Sequence, residues 1–413
     1  MKFDNNKRLT LACYSVNISM AIVGNLSPLL FLTFRSLYGI SYSLLGLLVL
    51  INFVTQLSVD LIFSFFSHKF NIPKVVKFTP VLTLVGLLFY AASPILFPDT
   101  VYLGLVIGTV IFSAASGFAE VLISPVIAAI PSDNPDHAMS KLHSIYAWGV
   151  VGVIVVGTLF LFGLGQDTWQ WFALLLTLVP IVSLILFAGT KFPKLETPER
   201  MSGALHMMKN KTLWLCVVGI FLGGAAECTM AQWASGYLEQ AVGIPKIWGD
   251  IFGVALFSVM LGLGRSLYAK YGNNIEKMLF LGAIGATVCY LLAAISSIPF
   301  IGLVACAFTG FCVSMMWPGS LIAVSDRIPT GGVFMYALMA SGGDLGASVG
   351  PQLVGVITDA VAQNSEWVDF AAGLSLSPDQ LGMKIGMLVG MLFPLIAIFI
   401  YLVLLRGRKG LKE

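Results

Sequence analysis

Three carboxylates lie inside stretches of the chain that are otherwise apolar, at Glu120, Glu227 and Asp344. An ionised acid at membrane depth costs about 3 kcal/mol, so acids kept there usually face a polar cavity and act on an ion or a substrate. We therefore predict that all three bind substrate and carry coupling protons. For each of them, a structural hydrogen bond to a neighbouring helix is the alternative.

Hydroxyl and amide groups accompany these acids at helical spacing. Three serines fall on the same face of a helix as Glu120, and they are Ser113, Ser116 and Ser124. Asn52, Gln56 and Asp60 follow one another a helical turn apart, so they also share one face. Amides supply the hydrogen bonds that a hydroxylated solute needs. The amide residues predicted to bind substrate are Asn25, Asn52, Gln56 and Gln232.

Aromatic and charged residues complete the set of candidate functional side chains. Trp148, Trp233 and Trp317 can stack on a sugar ring, and packing in the core or at the membrane interface is the alternative. Three charged residues lie near the ends of apolar stretches or in the turn that follows, and we predict that they form a gate. These gate residues are Asp60, Lys69 and Arg265.

The elements that hold these residues are membrane-spanning helices. Of 413 residues, 58% are hydrophobic and only 10% are charged, which excludes an ordinary soluble protein. We count twelve apolar stretches of about 20 residues or more, each long enough to cross a bilayer as a helix. The predicted fold is therefore an all-α membrane protein with twelve transmembrane helices.

A repeated pattern divides the chain into two related halves. Gly117 and Pro125 recur at one constant offset as Gly310 and Pro318, and no acid in the copy corresponds to Glu120. The repeat predicts pseudo-symmetric halves that are joined by a Pro-containing basic connection. The predicted divisions are an N-terminal six-helix half (1–190), a cytoplasmic linker (191–211) and a C-terminal six-helix half (212–413).

The basic residues predict the orientation of the chain. If the N-terminus is cytoplasmic, every Lys and Arg except Arg35, Lys246 and Lys384 falls on the cytoplasmic side. We therefore expect a multi-pass protein of the cytoplasmic membrane with both termini inside. The net charge of +3 reflects this orientation, and we expect no nucleic-acid partner.

The two six-helix halves, the cytoplasmic linker and the basic turn after the second apolar stretch resemble the major facilitator superfamily. Gly117 and Glu120, followed by Ser124 and Pro125, are similar to the signature of the fucose/proton symporter family, in which a glutamate precedes Asn-Pro at this spacing. The resemblance implies that Glu120 binds sugar or carries a proton. It also implies a substrate site between the halves near the membrane midplane.

These observations predict a secondary active transporter that moves a sugar or polyol by alternating access. We expect a proton as the coupling ion, with sodium as the alternative, no cofactor or bound metal, and a functional monomer in the bilayer. An exporter of drugs or organic cations is the second interpretation, since acidic spans and 16 methionines suit such cargo. An enzyme is disfavoured because no hydrolase, metalloprotease or phosphate-loop motif occurs, and a sensor because no long output segment does.

Overall fold

The computed structural model describes residues 4–66, 70–131, 135–193, 209–272, 274–328 and 332–409. Within these ranges the chain is helical and contains no strand. Twelve of the described helical spans are long and apolar enough to cross a membrane. The prediction of an all-α protein with twelve transmembrane helices is thus confirmed.

The helices follow one another through short connections. The first nine are α1 (Asn5–Leu29), α2 (Phe31–Tyr38), α3 (Tyr42–Phe66), α4 (Ile72–Ala91), α5 (Ser93–Leu96), α6 (Val101–Ala129), α7 (Pro135–Leu164), α8 (Trp169–Leu176) and α9 (Leu178–Phe187). The others are α10 (Lys211–Gln240), α11 (Lys246–Trp248), α12 (Leu256–Tyr271), α13 (Ile275–Ile295), α14 (Pro299–Val313), α15 (Met316–Arg327), α16 (Gly332–Gln363), α17 (Ser365–Gly373), α18 (Pro378–Gly390) and α19 (Leu392–Lys409). A π-helical stretch, Gly249–Ala255, joins α11 to α12.

Several helix starts follow directly from capping chemistry, because the first N–H groups of a helix lack partners within it. The side chain of Asn210 accepts hydrogen bonds from the backbone N–H groups of Thr212 and Leu213 at the start of α10. Ser377 and Gln380 form a reciprocal capping box at the start of α18. These polar caps mark where the chain enters an apolar helix.

The chain forms two compact units, which we describe separately. Unit 1 comprises Met1–Thr33 and Ile51–Met201, and unit 2 comprises Phe34–Leu50 and Ser202–Glu413. Residues 34–50 precede most of unit 1 in the sequence and yet belong to unit 2, so α2 and α3 each contribute to both units.

Unit 1 is built around α1, which contacts α6, α7 and α9. Leu9, Val16 and Leu122 are among the side chains that form its buried apolar core. The neighbouring pair α4 and α6 approaches closely at a glycine. A Cβ atom on Gly86 would lie 2.6 Å from the backbone nitrogen of Phe112, so no larger residue fits without moving a helix.

Unit 2 is centred on the contact between α10 and α16. Three glycines one turn apart on α16 line this contact, namely Gly342, Gly346 and Gly350. A Cβ atom on Gly346 would overlap the carbonyl oxygen of Phe221. Without a strong hydrophobic drive between helices in lipid, such small residues permit the close packing that holds the helices together.

Replacing Gly346 tests this packing. We expect Gly346→Val to lower the free energy of unfolding by about 1–3 kcal/mol, the usual range for overpacking a tight contact. The matched control is Gly262→Val on α12, since a Cβ at Gly262 meets nothing within 4 Å. Unfolding in detergent compares the two variants, and equal stabilities would contradict the proposed role of Gly346.

Candidate functional site

In unit 1, the polar faces of α3 and α6 meet at Gly117. A Cβ atom there would lie 3.0 Å from the carbonyl oxygen of Gln56 on α3, so glycine lets the helices approach. The predicted polar residues are brought together by this contact. A carboxylate oxygen of Asp60 lies within 4.8 Å of one of Glu120. Ser113 donates a hydrogen bond of 2.5 Å to the side-chain oxygen of Asn52.

The environment of these groups is mostly dry. Asp60, Asn52 and Gln56 are buried, and Glu120 is half-buried. Gln56 also bonds to the carbonyl of Asn52, at 3.5 Å. Two full negative charges about 4 Å apart repel by about 4 kcal/mol at the effective dielectric of protein sites. A shared proton or a bound cation removes this repulsion, so the acid pair is suited to carrying positive charge.

Asn25 and Trp148 belong to the same unit but lie on other helices, α1 and α7. Asn25 donates to the carbonyl of Ala21 within its own helix, at 2.9 Å. The indole of Trp148 is 70% exposed. No contact described within unit 1 joins either residue to the pair of acids, and their roles in substrate binding stay predictions.

In unit 2, Glu227 on α10 and Arg265 on α12 form an ion pair with an N···O distance of 3.5 Å. The Arg265 Nε also donates to the carbonyl of Ser314, at 3.1 Å. Ser314 lies where α14 ends and α15 has not begun. The second carboxylate oxygen of Glu227 is buried and accepts no hydrogen bond within the described part of the chain. Glu227 therefore offers an acceptor to a proton or to a ligand hydroxyl group.

Asp344 and Trp317 lie in the same unit, beside the glycines of the α10–α16 contact. Asp344 is buried on α16. The ring of Trp317 packs against Gly343 and Gly224, leaving no room for a Cβ at Gly343. Trp317 is half-buried, so part of its indole surface is open to a ligand.

Trp233 and Gln232 occupy buried positions on α10. The indole N–H of Trp233 donates to the carbonyl of Pro351 at 2.8 Å, and its ring centroid lies 6.0 Å from that of Tyr42. Only 1% of Trp233 is exposed. In this structure Trp233 is a core residue, which corrects the prediction that it stacks on a sugar, because the partners it contacts cover its ring.

The predicted gate residues have different settings. Arg265 pairs with Glu227, and Asp60 lies beside Glu120, so each contacts a predicted substrate or proton residue of its own unit. Lys69 lies outside the described residues. The gate itself stays a prediction.

Two buried ion pairs in unit 2 were not anticipated. Lys246 lies 3.1 Å from Asp250, which is fully buried and also accepts a hydrogen bond from Ser235. Their spacing of one helical turn was a usable sequence signal. Arg327 on α15 lies 2.8 Å from Glu276 on α13, and no local pattern predicts this pair. Both pairs combine opposite charges, whereas Asp60 and Glu120 bring like charges together.

Apolar spanning helices with acids and amides on their packed faces define the chain as a multi-pass membrane protein of the transport type. The family model described as Major Facilitator Superfamily matches residues 12–351, and the chain belongs to this family. The prediction of the superfamily is thus confirmed, and the protein is a transporter rather than an enzyme.

Solved structures share this fold at low sequence identity. A nucleoside transporter is 11% identical with a TM-score of 0.75, covering 97% of this chain and 100% of that one. A D-xylose–proton symporter is 16% identical with a TM-score of 0.72, covering 95% and 97%. The Escherichia coli fucose:proton symporter is 15% identical with a TM-score of 0.58, covering 94% and 98%. No curated protein sequence matches the chain.

Proposed function

We propose that the protein is a proton-coupled transporter of a small hydroxylated solute, a sugar or polyol, that works by alternating access across the cytoplasmic membrane. The single observation that carries the proposal is the approach of Asp60 and Glu120 to within 4.8 Å at membrane depth. Neutralising this pair lowers the cost of moving its site between the two faces of the membrane. A proton bound on one side and released on the other couples transport to the proton gradient.

The groups near the acids support a hydroxylated solute. Asn52, Gln56 and Ser113 line the same helix contact as the acid pair and can donate and accept hydrogen bonds. In unit 2, Glu227 keeps a buried acceptor oxygen, and Trp317 presents part of an aromatic face. Two of the proteins with a similar fold are described as proton symporters of sugars, which agrees with this solute class.

An exporter of organic cations is the second candidate. The like-charged pair of Asp60 and Glu120 attracts a positive ligand as well as a proton. Under this alternative, the cation itself neutralises the acids and exchanges with protons during transport.

Transport currents distinguish the two candidates. We would reconstitute the protein into liposomes, adsorb them on a solid-supported membrane and apply sugars, polyols and organic cations at acidic and neutral pH. The first proposal predicts that a sugar or polyol evokes a current that grows with the proton gradient. Liposomes without protein, and protein given sucrose-free buffer of equal osmolarity, are the controls. Currents evoked by cations alone would replace the first candidate with the second.

A further inference from the structure

Residues 34–50 are held to the rest of unit 2 by charged and aromatic contacts. Arg35 on α2 lies 2.8 Å from Asp379 in the first turn of α18. Its guanidinium group sits 3.8 Å above the ring of Tyr42, and the Tyr42 hydroxyl lies 3.4 Å from the same Asp379 carboxylate. One basic group is therefore shared between an aromatic face and an acid on another helix.

The start of α3 depends on an acid that is distant in sequence. Asp359, near the end of α16, accepts hydrogen bonds from the backbone N–H groups of Tyr42 at 3.2 Å and Ser43 at 2.6 Å. Leu44 N–H is satisfied locally by the Ser41 hydroxyl, at 3.3 Å. A negative charge is favourable at the positive end of a helix dipole. Asp359 thus caps α3 from outside and ties it to α16.

Glycines bring α3 and α16 together below this cap. A Cβ atom on Gly46 would lie 3.1 Å from the Gln352 Cα, and one on Gly355 would overlap the carbonyl of Tyr42. The contact thus extends over more than one helical turn. Within it, Leu45 is fully buried.

We propose that Arg35, Tyr42, Asp359 and Asp379 form a releasable latch that holds residues 34–50 on α16 and α18 in one state of the transport cycle and opens in another. On the predicted orientation, this latch faces the outside of the cell. The inference goes beyond the proposed function, because it requires no particular solute or coupling ion.

The solvent exposure of the latch supports release rather than permanent attachment. The side chains of Arg35 and Asp379 are 33% and 31% exposed, compared with 7% and 1% for Arg327 and Glu276. Partly exposed ion pairs exchange for water at little cost, whereas separated buried charges are costly. The latch residues also lie on the segment that continues along α3 into the polar face of Asn52 and Asp60. Release of the latch is therefore transmitted directly to the helix that carries the acid pair.

The test follows the reactivity of a buried cysteine under the latch. Leu45→Cys is labelled in proteoliposomes with a membrane-impermeant maleimide, and protein with only its native cysteines gives the background. We expect Arg35→Ala and Asp359→Ala each to speed labelling about five- to tenfold, the population shift that follows from losing a helix cap or an ion pair. Asp359→Asn keeps an amide oxygen as a cap and should have a smaller effect.

A charge exchange makes the result specific to the pair. Arg35→Asp and Asp379→Arg should each speed labelling, and the double variant should return the rate towards that of Leu45→Cys alone. Asp369→Ala is the matched control, an exposed acid on α17 that should leave the rate unchanged. Equal labelling rates in Leu45→Cys with and without Arg35→Ala and Asp359→Ala would overturn the proposal. A double variant as fast as the single ones would overturn it as well.

Discussion

Replacing Glu120 with glutamine is expected to abolish accumulation of the solute against its gradient. Glutamine keeps the size and hydrogen-bonding capacity of the side chain and cannot carry a proton. With one proton for each solute molecule, a difference of one pH unit stores about 1.36 kcal/mol, which supports about tenfold accumulation. We expect tenfold accumulation in the unaltered protein and none in Glu120→Gln, measured as uptake of labelled solute into liposomes under an imposed pH gradient.

Exchange of labelled solute between equal concentrations separates the two roles predicted for Glu120. If the residue only carries the proton, Glu120→Gln keeps this exchange. If it also binds the solute, exchange is lost as well. Asp167→Asn, at an exposed acid outside the packed helix faces, is the matched control and should accumulate solute normally. Full accumulation by Glu120→Gln would show that coupling resides elsewhere, and the proposed function would lose its main support.

The largest effect on stability is expected at the Arg327–Glu276 pair. Arg327 bonds Glu276 at 2.8 Å and the carbonyl of Leu404 at 2.8 Å, so it links α13, α15 and α19. Removing one partner of a buried pair leaves a desolvated charge and typically costs 3–5 kcal/mol, so we expect Arg327→Met to lose about that much stability. Denaturant titration in detergent measures the loss.

Two further variants show whether the lost stability comes from the uncompensated charge. In the double variant Arg327→Met with Glu276→Met, the buried charge is gone, and we expect most of the stability to return. Lys277→Gln changes an exposed neighbour of Glu276 and should stay within about 0.5 kcal/mol of the unaltered protein. A double variant as unstable as Arg327→Met alone would mean that the lost backbone bond, rather than the charge, dominates.

The fold could be predicted from the sequence because its main signal is local. Each spanning helix is a continuous apolar run, and bilayer thickness sets its length, so hydropathy alone identifies twelve of them. The polar stripes of Asn52 and Gln56, and of Ser113 and Glu120, could likewise be predicted, because side chains one turn apart share a helix face.

The partners of these residues depend on how helices cross, which one-dimensional spacing does not determine. Asp60 was predicted as a gate residue from its place near a helix end, and the close approach of α3 to α6 at Gly117 puts it beside Glu120 instead. The attachment of Tyr42 to Asp359 joins residues that are far apart in the chain. Trp233 shows the same limit, since a tryptophan in an apolar helix has the same pattern whether its ring is covered or open.

Pro351 gives α16 a mechanical property of its own. A proline lacks the N–H that would bond the carbonyl one turn earlier, so the helix is easier to bend at that turn. Asp344 and Asp359 lie on opposite sides of it, about 22 Å apart along the axis for a rise of 1.5 Å per residue. The helix therefore acts as a jointed lever: the end that bears Asp359 can swing while the arm that bears Asp344 stays seated among the glycines of α10.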